Sequence, residues 1–177
     1  MKGLLPVSLL MTGVVLMVPG ESRAVDIIVT ITGEVVIPPC TVNNNQTIEV
    51  DFGNIPVTDI GNAAFRQKKS VPVTCTYFAG TPYVKITGSQ LAGAETNVLA
   101  TTVARFGIAL YQGDGTGTPM KLGGGTGNVG YPVTSGLGTA GASNTFTFTA
   151  APYRAPGGAA PEAKAFTATA SMSIIYM

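Results

Sequence analysis

Apolar and polar residues alternate with a period of two at residues 25–37 and again at the C-terminal end of this chain. Residues 25–37 read Val-Asp-Ile-Ile-Val-Thr-Ile-Thr-Gly-Glu-Val-Val-Ile, and Val25, Ile27, Val29, Ile31, Gly33, Val35 and Ile37 fall on one side. Successive side chains of a strand point to opposite faces, so this stripe predicts a strand with one face buried, either the first strand of a sandwich or one inserted elsewhere. Residues 166–176 alternate in the same way, with Phe166, Ala168, Ala170, Met172, Ile174 and Tyr176 on one face and polar residues between them until Ile175. That pattern predicts a strand with core on one side and water on the other. Shorter runs at 47–52, 70–77, 83–87, 106–111 and 145–149 predict further strands, separated by turn-forming clusters such as Asn43-Asn44-Asn45-Gln46. No window beyond residue 24 carries a helical period, and the whole pattern implies an all-β sandwich or barrel. Eleven of the 23 glycines lie between Gly113 and Gly141, which predicts long irregular loops near one edge or end of it. No internal repeat of solenoid length is visible.

The one apolar stretch without this alternation is residues 4–18. Lys2 precedes it, and Ser22 and Ala24 supply small residues where a signal peptidase reads, so residues 1–24 are expected to be a removed signal peptide. A membrane anchor needs roughly 18 uninterrupted apolar residues, and this core is shorter, with Pro6, Ser8 and Thr12 inside it. The remaining 153 residues suit one domain. Removal of Lys2, Glu21 and Arg23 leaves eight cations against eight anions, a balance that points to neither nucleic acid nor an anionic membrane as partner. In an exported chain the two cysteines, Cys40 and Cys75, are most simply one disulfide. Closing a loop of this length contributes on the order of 3–4 kcal/mol in the chain-entropy model.

Catalytic chemistry has little to work with. The chain has no histidine, hence neither the commonest general base nor the commonest zinc ligand. Lys69 and Ser70 are adjacent in a predicted strand and so point to opposite faces. Gly123-Gly124-Gly125-Thr126-Gly127 lacks the Gly-Lys-Ser/Thr ending of a phosphate loop. Asp51, Asp59 and Asp114 lack calcium-loop spacing. Phe65-Arg66-Gln67-Lys68-Lys69, the only basic cluster, reads as a solvated turn. No enzyme activity, metal, cofactor or small-molecule substrate is expected.

An exported chain with an alternating N-terminal strand carrying a glycine, a cysteine pair 35 residues apart and an alternating C-terminal strand ending in Tyr176 resembles the subunits of the chaperone–usher pili of Gram-negative bacteria. The strings Val36-Ile37-Pro38-Pro39-Cys40-Thr41-Val42-Asn43-Asn44, Val50-Asp51-Phe52-Gly53-Asn54-Ile55, Asn97-Val98-Leu99-Ala100-Thr101, Phe106-Gly107-Ile108-Ala109-Leu110-Tyr111-Gln112-Gly113 and Ala170-Ser171-Met172-Ser173-Ile174-Ile175-Tyr176 are similar to those of minor tip adaptors in that family. The resemblance implies an incomplete immunoglobulin-like sandwich lacking its last strand, with an N-terminal donor-strand extension at 25–37 and a pilin domain at 38–177. A periplasmic chaperone would lend a strand to the open groove, and an outer-membrane usher would exchange it for the extension of the next subunit. By the same resemblance Ile27, Val29, Ile31, Gly33 and Val35 would form the donor face, with Gly33 where the receiving groove narrows. Phe166, Ala168, Ala170, Met172, Ile174 and Tyr176 would line the acceptor groove, and the carboxylate of Met177 would be held by basic residues of the chaperone. Lys164 stands where the family usually has a glycine. The implied function is that of a minor subunit at the pilus tip, on the cell surface, linking a tip adhesin to the fibre. A major or other minor pilin and a receptor-binding fimbrial lectin are the alternatives.

Overall fold

The computed structural model describes residues 25–138 and 141–177, and the signal peptide expected at 1–24 lies outside them. The described chain falls into two units that divide between Glu34 and Val35. In the first, residues 25–34 form neither helix nor strand. Ile27, Ile28, Val29 and Ile31 are 78–90% exposed, so the side chains do not sort into a wet and a dry face. The strand predicted there is not made, because a strand exists only where a neighbour takes up its backbone groups.

The second unit is an immunoglobulin-like β-sandwich. Its strands are β1 (Thr41–Val42), β2 (Gln67–Thr74), β3 (Pro82–Gly88), β4 (Val98–Ala100), β5 (Phe106–Gln112), β6 (Thr118–Pro119), β7 (Tyr131–Pro132), β8 (Ser143–Arg154) and β9 (Ala170–Tyr176). All pairings are antiparallel, in one sheet ordered β1-β2-β8-β5-β4 with β6 beside β5, and another ordered β7-β3-β9. Among the described residues the only helical elements are short 3-10 turns. β8 is the spine of the larger sheet, pairing with β2 from Ser143 to Ala150 and with β5 from Phe148 to Arg154. Pro152 is tolerated because β2 reaches only Ala150, so at residue 152 only one side of β8 carries a partner.

Alternation sets the core. Val71 and Val73 of β2, Val84 and Ile86 of β3, Phe146 and Phe148 of β8, and Ile174 and Tyr176 of β9 meet between the sheets. β5 is buried on both faces: Phe106, Ile108 and Leu110 join this core, whereas Ala109 packs with Leu91, Val98 and Ala155 in a smaller cluster. The glycine-rich stretch is more ordered than its composition implies, for it contains β6 and β7 and is tied down by buried polar groups. Gln112 donates to the Pro132 carbonyl at 3.0 Å and accepts from the Thr134 amide at 2.9 Å. Thr149 donates to the Gly113 carbonyl at 2.9 Å.

A covalent link and a tight turn hold the first residues of this unit. Cys40 and Cys75 form the expected disulfide, both side chains buried. Asn43, Asn44 and Asn45 all have positive φ, in a turn that asparagine tolerates better than other non-glycine residues. Asn43 secures it by donating to the carbonyls of Gln46 and Thr47. Replacing both cysteines by alanine is expected to lower the unfolding free energy by about 3–4 kcal/mol. Chemical denaturation of the two forms, at equal slopes, measures this directly.

Candidate functional site

The larger predicted strand at 166–176 is only partly a strand. β9 begins at Ala170, and residues 166–169 continue its alternation without a ladder. Among the described residues their one backbone tie is to Thr102, whose amide donates to the Thr167 carbonyl at 3.0 Å and whose hydroxyl accepts from the Thr167 amide at 3.1 Å. Within β9, Ser171, Ser173 and Ile175 face Thr87, Lys85 and Tyr83 of β3, and the register continues to Met177, which exchanges amide–carbonyl bonds of 2.9 and 2.7 Å with Thr81. Antiparallel pairs alternate between bonded and non-bonded positions, so the backbone groups of Ala170, Met172 and Ile174 point away from β3. Among the described residues only one of these outward groups finds a backbone partner: the Ile174 carbonyl accepts from the Cys40 amide at 2.8 Å.

A second segment mirrors this one. The sequence predicts a strand at 47–52, and the alternation is real: Ile48, Val50 and Phe52 are half-buried, whereas Thr47, Glu49 and Asp51 are more exposed. Yet among the described residues no backbone hydrogen bond joins residues 48–55 to any strand. The strand fails to form for the same reason as 166–169, namely that the position beside it is open.

Between the two lips lies a groove of about 330 Å³. Ile48, Val50 and Phe52 line one side, Phe166, Ala168, Ala170 and Met172 the other, and Leu99, Ile108, Leu110 and Phe148 belong to its lining from the larger sheet. Phe166 packs edge-on against Phe106 at 4.7 Å between centroids and lies 6.1 Å from Phe52. A groove with apolar walls and two unpaired backbone edges matches the needs of an extended strand, which offers alternating side chains and hydrogen bonds along its length.

The seven acceptor residues named from the sequence divide accordingly. Phe166, Ala168, Ala170 and Met172 line the groove, Ile174 and Tyr176 are buried in the core, and Met177 is 53% exposed. The opposite lip and the residues of the larger sheet are not identifiable as groove residues from sequence, although the alternation of Ile48, Val50 and Phe52 is visible there. Of the proposed donor residues, Ile27, Val29, Ile31 and Val35 are exposed, and Gly33 has no neighbouring atom within 4 Å of where a Cβ would stand. Its φ is outside the left-handed region, so nothing within this chain requires a glycine there.

The remaining polar candidates have ordinary roles. Ser70 shares a hydrogen bond of 2.8 Å with Thr147, and Lys68 pairs with Asp114 on the surface. Lys121 lies over the Tyr131 ring, 5.6 Å from its centroid. Among the described residues no cluster of potential metal ligands occurs.

Comparison with known proteins identifies the family. Residues 29–177 match the fimbrial protein family. The fimbrial adapter PapF of Escherichia coli is 46% identical over 170 residues, covering 96% of this chain and 95% of the relative. The minor fimbrial protein PrsF of Escherichia coli is 45% identical over the same shares of each chain. The solved structure of the P pilus adaptor subunit PapF superposes with a TM-score of 0.56 at 40% identity, covering 80% of this chain and 98% of that one. A chain matched over residues 29–177, and 46% identical to a fimbrial relative across nearly its whole length, belongs to the fimbrial protein family.

Proposed function

We propose that this chain is a minor pilus-tip adaptor, exported to the cell surface, that joins a tip adhesin to the pilus fibre by donor-strand exchange. The observation that carries the reading is the pair of unpaired lips at 48–52 and 166–172 around one apolar groove. An open groove of this kind is a sticky edge, prone to aggregation until a strand fills it. A periplasmic chaperone and then a neighbouring subunit would supply that strand, with the usher as the place of exchange. The similarity to PapF and PrsF favours the adaptor over a rod subunit and a structural over a catalytic role.

In this reading the chain is processed after residue 24, and residues 25–37 serve as the donor for the next subunit. Burying four or five large apolar side chains, at about 1.5–3 kcal/mol each, gives a gross gain on the order of 10 kcal/mol, an upper bound. A joint of that strength lasts without a covalent link. The testing experiment is co-expression with the cognate chaperone. A stable free subunit whose amides at 166–172 are fully protected from hydrogen exchange would overturn the open-groove account.

Gly33 offers a finer test. Because the residue is unconstrained in its own chain, Gly33→Leu should leave the thermal midpoint unchanged. If the glycine faces a narrow point in the neighbour's groove, the added side chain overpacks it and weakens joining roughly 10- to 100-fold. Pull-down of the neighbouring subunit at graded concentrations reads this, and normal joining would remove Gly33 from the donor face.

A further inference from the structure

Cys40 occupies an unusual place in the sandwich. Its amide bonds to the Ile174 carbonyl in the smaller sheet, its sulfur bonds to Cys75 just after β2, and the next two residues pair with β2 in the larger sheet. It therefore rivets the two sheets at one end of the groove. Pro38 and Pro39 before it have no amide hydrogen, so Cys40 supplies the first N–H that this part of the chain can offer to β9. Among the described residues the outer edge from Phe166 to Met172 carries no backbone partner, about 20 Å of strand, and the Ile174 carbonyl that follows it is taken.

We propose that Cys40, held by its disulfide, is an end-stop that fixes the register of any strand entering the groove. This rests on the donor-strand reading above and adds to it a positioning residue that touches the end of the incoming strand's path. An entering strand can pair with the outward groups of Phe166, Ala168, Ala170 and Met172. It cannot slide one step further, because the Ile174 carbonyl is already taken. A slide of two residues preserves which side chains face inward, so the alternation alone does not forbid it. A fixed obstacle does.

The test uses the full chain refolded under oxidising conditions with synthetic peptides. One has the sequence of residues 25–37, and two others carry an added Thr-Ile pair at one end or the other. The stop predicts that the extension lying towards Ile174 slows peptide release less than twofold, and that the Cys40 amide exchanges equally slowly in all complexes. In the Cys40→Ala, Cys75→Ala double variant the same extension should slow release about tenfold, the effect of one more buried apolar side chain. If the wild-type chain already gains tenfold from that extension while its Cys40 amide becomes fast-exchanging, the strand displaces Cys40 and the stop is refuted. That result needs only the wild-type chain, so it decides the matter even if the double variant does not fold. If no peptide protects the amides of Ala168, Ala170 and Met172, the groove reading itself fails, and the stop with it.

Discussion

A chain lacking residues 25–35 will fold as the full one does, accept a strand as the full one does, and donate none. Residues 25–34 form no ladder, and their large apolar side chains are exposed, so their loss removes no described packing. The thermal midpoint should move by less than about 2 °C, as for changes away from the core. The groove between 48–52 and 166–172 lies within the second unit and is untouched. Donation, in contrast, loses the whole donor face from Ile27 to Val35 and leaves only residues 36–37 of the extension. Native mass spectrometry of the truncated chain, mixed with the next subunit of the fibre and with a peptide that fills its own groove, separates the two capacities. Peptide binding without any subunit–subunit complex is expected. A complex with the next subunit would mean that the donor lies elsewhere, and a melted domain would mean that 25–35 belongs to this chain's own core.

Where hydrogen-bond partners lie decides which elements are legible in the sequence and which are hidden. β5 and β8 are foreseeable because Phe106, Ile108 and Leu110, like Phe146 and Phe148, carry the apolar side chains that the core requires, and each strand has partners within the chain. The disulfide is implied by export and a count of two cysteines. The two-residue strands β1, β6 and β7 and the three-residue β4 escape notice, since a period of two cannot be read in so few residues. More instructive are 25–37, 47–52 and 166–169. All three alternate like strands, and none has a ladder. Alternation reports which side chains are meant to be buried, not whether the burying partner is in the same molecule. The groove's open lip at Ile48, Val50 and Phe52 is therefore readable as a strand but not as half of a site, because its relation to Phe166 depends on a contact between residues distant in sequence.

Placing a charge at residue 170 should produce the converse molecule, one that folds and donates but does not accept. Ala170 is exposed in the unfilled domain, although it lies on the groove-facing side of β9. Aspartate there can keep its carboxylate in water, at a stability cost of about 0.5 kcal/mol. Once a strand covers the groove, the same carboxylate is enclosed by apolar side chains with no cation to meet it. An uncompensated buried charge costs about 3–5 kcal/mol, which weakens strand binding by roughly 10²- to 10⁴-fold. Ser173→Asp is the control, three residues along the same strand but exposed and absent from the groove lining, and it should bind as the parent does. The sign of the pH dependence is set by burial, which disfavours the charged form and raises the carboxyl's pKa in the filled state. The Ala170→Asp defect should therefore be smallest below about pH 4, where the free carboxyl is already protonated, and should grow as pH rises through the raised value. Fluorescence anisotropy of a labelled 25–37 peptide across that range measures it. Equal binding by both variants at neutral pH would show that the entering strand does not cover Ala170, and would move the acceptor site away from this edge of β9.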